Sequence, residues 1–272
     1  MEEPVTFKDK GGRPLAAILA TPPRGTLQIA VLCHGFLSGK DSTTNKTLAR
    51  LLLDKEIATL RFDFFGHGES QGPFEDITVT IAVEQALAAL EFVSSAGYTK
   101  IGLIGSSFGG LVALLAAARW QDQDPARPDR LRSVQPGKGI ACLGLKCPVI
   151  DFPEELGLQL GEDGLAEWKN TNTIPDVTGK GTRIRLAYAF YEDAGRTIGY
   201  QAAPLIRAPT MIVQGDQDEL VPLHQCRQFA DGLKTEKSLR IVPGADHQFT
   251  KGEHFREMTT LLADWLGNHL AT

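Results

Sequence analysis

Ile101-Gly-Leu-Ile-Gly-Ser-Ser-Phe-Gly-Gly110, running into the Leu- and Ala-rich stretch Leu111–Arg119, decides how this chain is read. An apolar run short enough for one strand meets a turn flanked by glycines, and an apolar helical pattern follows. This is the strand–turn–helix setting that a G-x-S-x-G motif requires. The register Gly105-Ser106-Ser107-Phe108-Gly109 centres Ser107 between two glycines, at positions where a sharp turn presses backbone on backbone and a Cβ would clash. Ser106 is the register rival, off centre. A serine hydroxyl is a weak nucleophile alone, so the motif carries chemistry only with a base and an orienting acid elsewhere in the chain.

Around this unit the pattern repeats. Leu15–Ala20 and Ile29–His34 read as strands, Thr43–Leu53 as a helix, Ile57–Phe62 as a strand and Val79–Val93 as an amphipathic helix ending at Gly97. Lys100–Ile104 and Gly110–Arg119 form the next strand and helix. Gln121–Gly139 is polar and holds three prolines, which predicts a surface loop, and Ile140–Leu145 is again strand-like. Pro209–Gln214, Leu223–Leu233, Leu239–Val242 and Glu253–His269 continue as strand, helix, strand, helix. Repeated β-α units with apolar strands predict an α/β fold whose mostly parallel central sheet is covered on both faces.

The alternation fails between about Cys147 and Tyr200, where Phe152, Trp168, Tyr188, Phe190, Tyr191 and Tyr200 gather, with three of the chain's four tyrosines. Residues 147–204 are therefore expected to form a small cap inserted into one domain spanning 1–272. Its aromatics would either pack a helical lobe or grip a substrate. Phe152, Trp168, Tyr188 and Tyr191 are the substrate-binding candidates there, with His34 beside them at the end of an earlier strand.

In open α/β sheets, sites form beyond the carboxyl ends of the strands. Two loops there can complete Ser107: Asp216-Gln-Asp218 after Pro209–Gln214, and Asp246-His247 after Leu239–Val242. The order Ser107, Asp218, His247 is that of an α/β-hydrolase. Four pieces, His34-Gly35-Phe36, Gly105–Gly109, Gly215-Asp-x-Asp-x-x-Val-Pro222 and Gly244-Ala-Asp-His247, resemble that superfamily over nearly the whole chain. With Arg61-Phe-Asp-Phe-Phe-Gly-His-Gly-Glu-Ser70, the set resembles bacterial carboxylesterases close to the cinnamoyl and feruloyl esterases. It is also similar to the serine aminopeptidase and monoacylglycerol lipase branches.

That resemblance implies Ser107 as nucleophile, His247 as general base and Asp218 as its orienting acid, with Asp216 a turn-forming competitor. The backbone N–H groups of Phe36 and Phe108 would form the oxyanion hole. Activity is then expected to rise with pH as His247 loses its proton. His34 and His67 are expected to brace loops, His254 to be a solvated helix residue, and His224 and His269 to lie on surface helices.

Three function classes remain at this stage. The first is a carboxylic-ester hydrolase for small to medium acyl or aryl-acyl groups. The second is a serine peptidase or amidase, for which Glu154, Glu155, Glu162, Asp163 and Glu167 would face a substrate amino terminus rather than solvent. The third is a non-catalytic ligand-binding relative.

Composition narrows the partners. With 28 basic against 33 acidic residues, a net charge of −5 and no basic run, nucleic acid is an unexpected partner. The acidic N-terminus lacks a signal-peptide pattern and Leu111–Ala118 is far short of a bilayer span, so a cytoplasmic monomer or homodimer acting on a small-molecule ester, without membrane association, is expected. Cys33, Cys142, Cys147 and Cys226 form no C-x-x-C pair and read as reduced core or near-core residues. The scattered histidines lack ligand spacing, so neither metal nor cofactor is expected.

Overall fold

The glycine-flanked strand and its neighbours assemble into one eight-stranded sheet. In the computed structural model, which describes residues 1–121, 139–176 and 183–271, the strands are β1 (Glu2–Lys8), β2 (Pro14–Ala20), β3 (Gln28–Cys33), β4 (Ala58–Phe62), β5 (Lys100–Ser106) and β6 (Ile140–Lys146). Two more two-residue strands, β7 (Thr173–Ile174) and β8 (Ile184–Arg185), pair apart from it, and β9 (Thr210–Gly215) and β10 (Lys237–Val242) complete it. The order is β1-β2-β4-β3-β5-β6-β9-β10. β1, β2 and β4 pair antiparallel, and β4, β3, β5, β6, β9 and β10 are parallel.

Parallel strands need both faces covered. The residues of β3, β4, β5 and β9 accordingly read as continuous apolar runs with almost every position buried. Helices α2 (Val79–Ser95), α3 (Phe108–Gln121) and α6 (Leu223–Gly232) contribute to one core, while α1 (Thr43–Leu53) and α7 (Gly252–Ala271) pack into a second core on the other face. Ser42 and Thr78 start α1 and α2 by accepting the N–H of Asn45 and Ile81.

Register places the site. Cys33 of β3 faces Gly105 of β5, Ser106 faces Lys146 of β6, Lys146 faces Val213 of β9, and Gly215 faces Val242 of β10. The loops that follow β3, β5, β6, β9 and β10 therefore leave the sheet along one edge.

Between β6 and β9 the chain carries α4 (Phe152–Thr171), β7, β8, α5 (Ala189–Ala194) and a 3-10 stretch, Gly199–Leu205. Asp151 caps α4 by accepting the N–H of Glu154. Gly161, at φ 63° and ψ −178°, breaks the helix midway. The strand–helix alternation fails over this segment, and the β7–β8 pair within it is too short to register as a period. β1 went unnoticed as well, and the loop expected over Gln121–Gly139 lies, at 122–138, outside the described residues. Among the described residues, no helix is long and apolar enough to cross a membrane.

Candidate active site

Ser107 sits between the end of β5 and the start of α3 with φ 54°, a left-handed conformation rare for a side-chain-bearing residue. Such strain persists only where the surroundings fix it, and here they do. A Cβ on Gly105 would lie 2.1 Å from the carbonyl oxygen of Gly109, and one on Gly109 would lie 2.3 Å from the carbonyl oxygens of both Cys33 and His34. The turn is thus wedged against the end of β3. Its backbone is tied down further: Ser107 N–H donates to Lys146 O at 2.9 Å, and Ser107 O accepts from Gly110 at 2.8 Å.

Three loops converge on the hydroxyl. His247 Nε2 lies 3.1 Å from Ser107 Oγ. Its Nδ1 lies 2.8 Å from Oδ2 and 2.9 Å from Oδ1 of Asp218. Nδ1 carries the proton when it donates to the carboxylate, which leaves Nε2 as an acceptor for the serine hydroxyl. The side chains of His247 and Asp218 are 2% and 1% exposed, so the pair works in a poorly screened environment.

Asp218 is well supplied with donors. Oδ1 accepts the N–H groups of Leu220 at 3.0 Å and Val221 at 2.8 Å, and Oδ2 accepts Gln214 Nε2 at 2.7 Å. Burial works against its ionisation, yet the hydrogen bond from His247 with its charge, the Val221 N–H and the Cys147 thiol outweigh burial and hold the carboxyl below the usual range. The competitor Asp216 is exposed and accepts the N–H of Gly244 at 2.6 Å, bracing the histidine loop from outside.

Phe36 and Phe108 frame the serine. Phe108 occupies the first position of α3, where a backbone N–H has no intrahelical acceptor. The N–H groups of Phe36 and Phe108 meet no protein acceptor among the described residues. Gly35 brings the β3 loop against the turn, its Cβ direction pointing 3.6 Å from Ser107 Cβ. The two phenyl rings meet edge to face at 5.8 Å.

The candidates for substrate contact separate into groups. Phe152 packs over Phe36 and Phe108, at 6.0 and 5.9 Å, with Phe190 at 5.2 Å. Trp168 is fully buried and donates its indole N–H to Leu186 O at 2.6 Å, so it holds the segment's own core rather than a ligand. Tyr188 and Tyr191, both half-buried, stack at 5.3 Å, and each meets the Trp168 ring edge to face.

His34 needs correction as a ligand contact. Nδ1–H donates to Gly35 O at 2.8 Å and Nε2 accepts the Phe64 N–H at 3.1 Å, leaving no nitrogen for a substrate. Burial, then the neighbouring His67, push its pKa down to about 3, so it is a neutral brace. His67 Nδ1 similarly engages Phe65 O. His254, expected in solvent, has a side chain only 12% exposed. His224 stays on the surface, 2.9 Å from Glu154, and His269 on α7 is part-buried against Trp265.

The acids of α4 do not act as a group. Glu154 is engaged by His224 and Gln225, while Glu162 and Asp163 are exposed. Glu155 was not foreseen as a buried group: it is 6% exposed, its Oε1 accepts from Gln159 and its Oε2 has no partner. Burial, then the charge of Asp218, push its pKa up to about 8.

Two neighbours of the site were missed in sequence because they close an apolar strand. Lys146 is buried and donates from Nζ to His247 O at 2.6 Å. Cys147, at φ 41°, lies with Asp218 and His247 such that their ligand atoms fall within 4.8 Å of one another. A metal would need the thiolate. Burial pushes the Cys147 thiol far up, and the carboxylate's donors are already in place, so the trio fits a hydrogen-bonded acid better than a metal centre. All four cysteines are buried free thiols.

Known proteins share this architecture. Est1E from Butyrivibrio proteoclasticus, solved with ferulic acid bound, superposes with a TM-score of 0.80 at 24% identity, covering 98% of this chain and 100% of that one. The structure of mouse alpha/beta hydrolase domain-containing protein 10 superposes with a TM-score of 0.75 at 19% identity, covering 98% and 99% of the two chains. In sequence, the mouse mitochondrial palmitoyl-protein thioesterase ABHD10 is 27% identical over 203 residues, 75% of this chain and 63% of that protein. This chain thus matches less than two thirds of that relative's length. With the model of the alpha/beta hydrolase family matching residues 30–258, the chain belongs to that family.

Proposed function

We propose that this chain is a serine hydrolase that cleaves carboxylic esters of small to medium acyl or aryl-acyl groups through an acyl-enzyme. The observation that carries the proposal is the continuous hydrogen-bonded chain from Ser107 Oγ through His247 to Asp218, with separations of 3.1 and 2.8 Å. Ser107 Oγ attacks the acyl carbon as His247 Nε2 takes its proton. Asp218, held ionised, stabilises the imidazolium. The N–H groups of Phe36 and Phe108 receive the oxyanion, a donor pair of the kind whose single loss costs on the order of 10²–10³ in turnover. His247 then protonates the departing alcohol, and a water activated by the same nitrogen releases the acid and restores Ser107.

The names of the relatives frame the substrate range: one is a thioesterase and another binds ferulic acid. The aromatic wall of Phe36, Phe152 and Phe190 favours an apolar acyl group beside the serine. The peptidase reading gains little, because the α4 acids are paired, exposed or buried singly. A panel of p-nitrophenyl esters of increasing acyl length, an acyl thioester and aminoacyl arylamides tests the proposal. Ester or thioester turnover should exceed arylamide turnover; faster arylamide cleavage would reverse the assignment.

A further inference from the structure

Lys146 closes β6 between the nucleophile and the base, and each of its polar ends is used on one of them. Its backbone carbonyl accepts the N–H of Ser107 at 2.9 Å, and its ammonium donates to the carbonyl of His247 at 2.6 Å. The same Nζ lies 5.6 Å over the Phe249 ring. On the other side of the histidine, the His247 N–H donates to Glu219 Oε2 at 3.1 Å. Glu219 directly follows the acid Asp218 in the loop after β9.

A buried ammonium is costly. Its desolvation must be offset by strong partners, and even a buried ion pair is often replaced by apolar residues of similar volume with no loss of stability. Lys146 is 4% exposed, and among the described residues no carboxylate lies within ion-pair reach of it. Core packing alone would be better served by leucine or methionine. What the charge gains here is a strong hydrogen bond to the peptide of the base.

We propose that Lys146 and Glu219 are positioning residues that grip the two ends of the His247 residue, Lys146 serving as the strut that sets the base against the nucleophile. The inference rests on the Ser107–His247–Asp218 reading above. The strut matters because a shift of about 1 Å in a reacting group can cost on the order of 10² in rate. The two residues also bear opposite charges on the base. The groups facing His247 are Ser107 and Asp218 at its ring, Cys147 beside Asp218, Glu219 at its N–H and Lys146 at its carbonyl. An ammonium disfavours the imidazolium and a carboxylate favours it. Removing them should displace the acidic limb of the pH profile in opposite directions.

The test uses the full chain with p-nitrophenyl butyrate as substrate and a fluorophosphonate as probe, each followed against pH. Lys146→Met should lower kcat by about 10–100-fold with KM within about twofold, and move the acidic limb to higher pH. Lys146→Arg, which keeps charge and donor, should recover most of the loss. Glu219→Gln, at an exposed position, should fold and move the limb to lower pH. A folded Lys146→Met chain with wild-type kcat, or with a limb unmoved or displaced in the same direction as that of Glu219→Gln, overturns the inference. If Lys146→Met does not fold, Glu219→Gln and Lys146→Arg decide it: an unmoved limb in the first, or a loss of kcat of about 10-fold or more in the second, overturns it. A wild-type chain that the probe does not label at Ser107 overturns the hydrolase reading and this inference together, whereas labelling of Lys146→Met at the wild-type rate overturns the inference alone.

Discussion

Glu155 shows how one side chain can link the segment over the site to the chemistry below it. It shares the buried face of α4 with Phe152 and Leu156, and its carboxyl feels both burial and Asp218. In the unfolded chain it would titrate near the ordinary value of 4.5; folded, it titrates near 8. Between those values the folded state holds more protons than the unfolded one, so stability from this group is present at low pH and is lost as pH climbs toward 8, at up to about 1.4 kcal/mol per unit. Glu155→Gln removes that dependence. Urea midpoints at pH 5 and pH 8 should show the variant gaining on the wild type at the higher pH; a constant difference would remove Glu155 from the acid–base behaviour of the fold. Nothing in the run of acids along α4 distinguishes this glutamate from its exposed neighbours, because burial there is decided by which face meets the sheet edge.

At the scale of elements, the inner parallel strands β3, β5, β6 and β9 were legible because both of their faces are buried, which writes them as largely apolar runs. β1 was not: in Glu2-Glu3-Pro4-Val5-Thr6-Phe7-Lys8 only Phe7 is buried, as befits an edge strand. The turn carrying Ser107 was legible because steric demands fix its glycines in place. Lys146 and Cys147 were not, since a lysine and a cysteine ending an apolar strand reveal no partner until β6 is set beside β5 and β9. Helix α4 offers a test of how its segment is anchored. Phe152 at its first turn is 4% exposed and packs on Phe36, Phe108 and Phe190. Phe152→Ala should destabilise the chain by about 3 kcal/mol or more. It should also lower kcat/KM for aryl and long-chain acyl esters more than for acetate esters. Equal losses across the acyl series would mean that Phe152 supports the loop without meeting the acyl group.

In the whole molecule, residues distant in sequence meet because the sheet aligns the carboxyl ends of β3, β5, β6, β9 and β10 on one edge. The order of serine, acid and histidine loops was readable from the chain, since each follows an apolar strand and carries its own turn signature. Which aromatics face the serine was not readable, because Trp168, Tyr188 and Phe152 have the same composition signal and differ only in packing. The chemistry proposed for this site requires Ser107 to be an activated nucleophile. Incubating the folded chain with a fluorophosphonate and measuring intact mass and the modified peptide tests it most directly. One adduct is predicted, on the peptide carrying Ser107, absent in Ser107→Ala and strongly slowed in His247→Ala; no adduct, or an adduct that persists in Ser107→Ala, would contradict it.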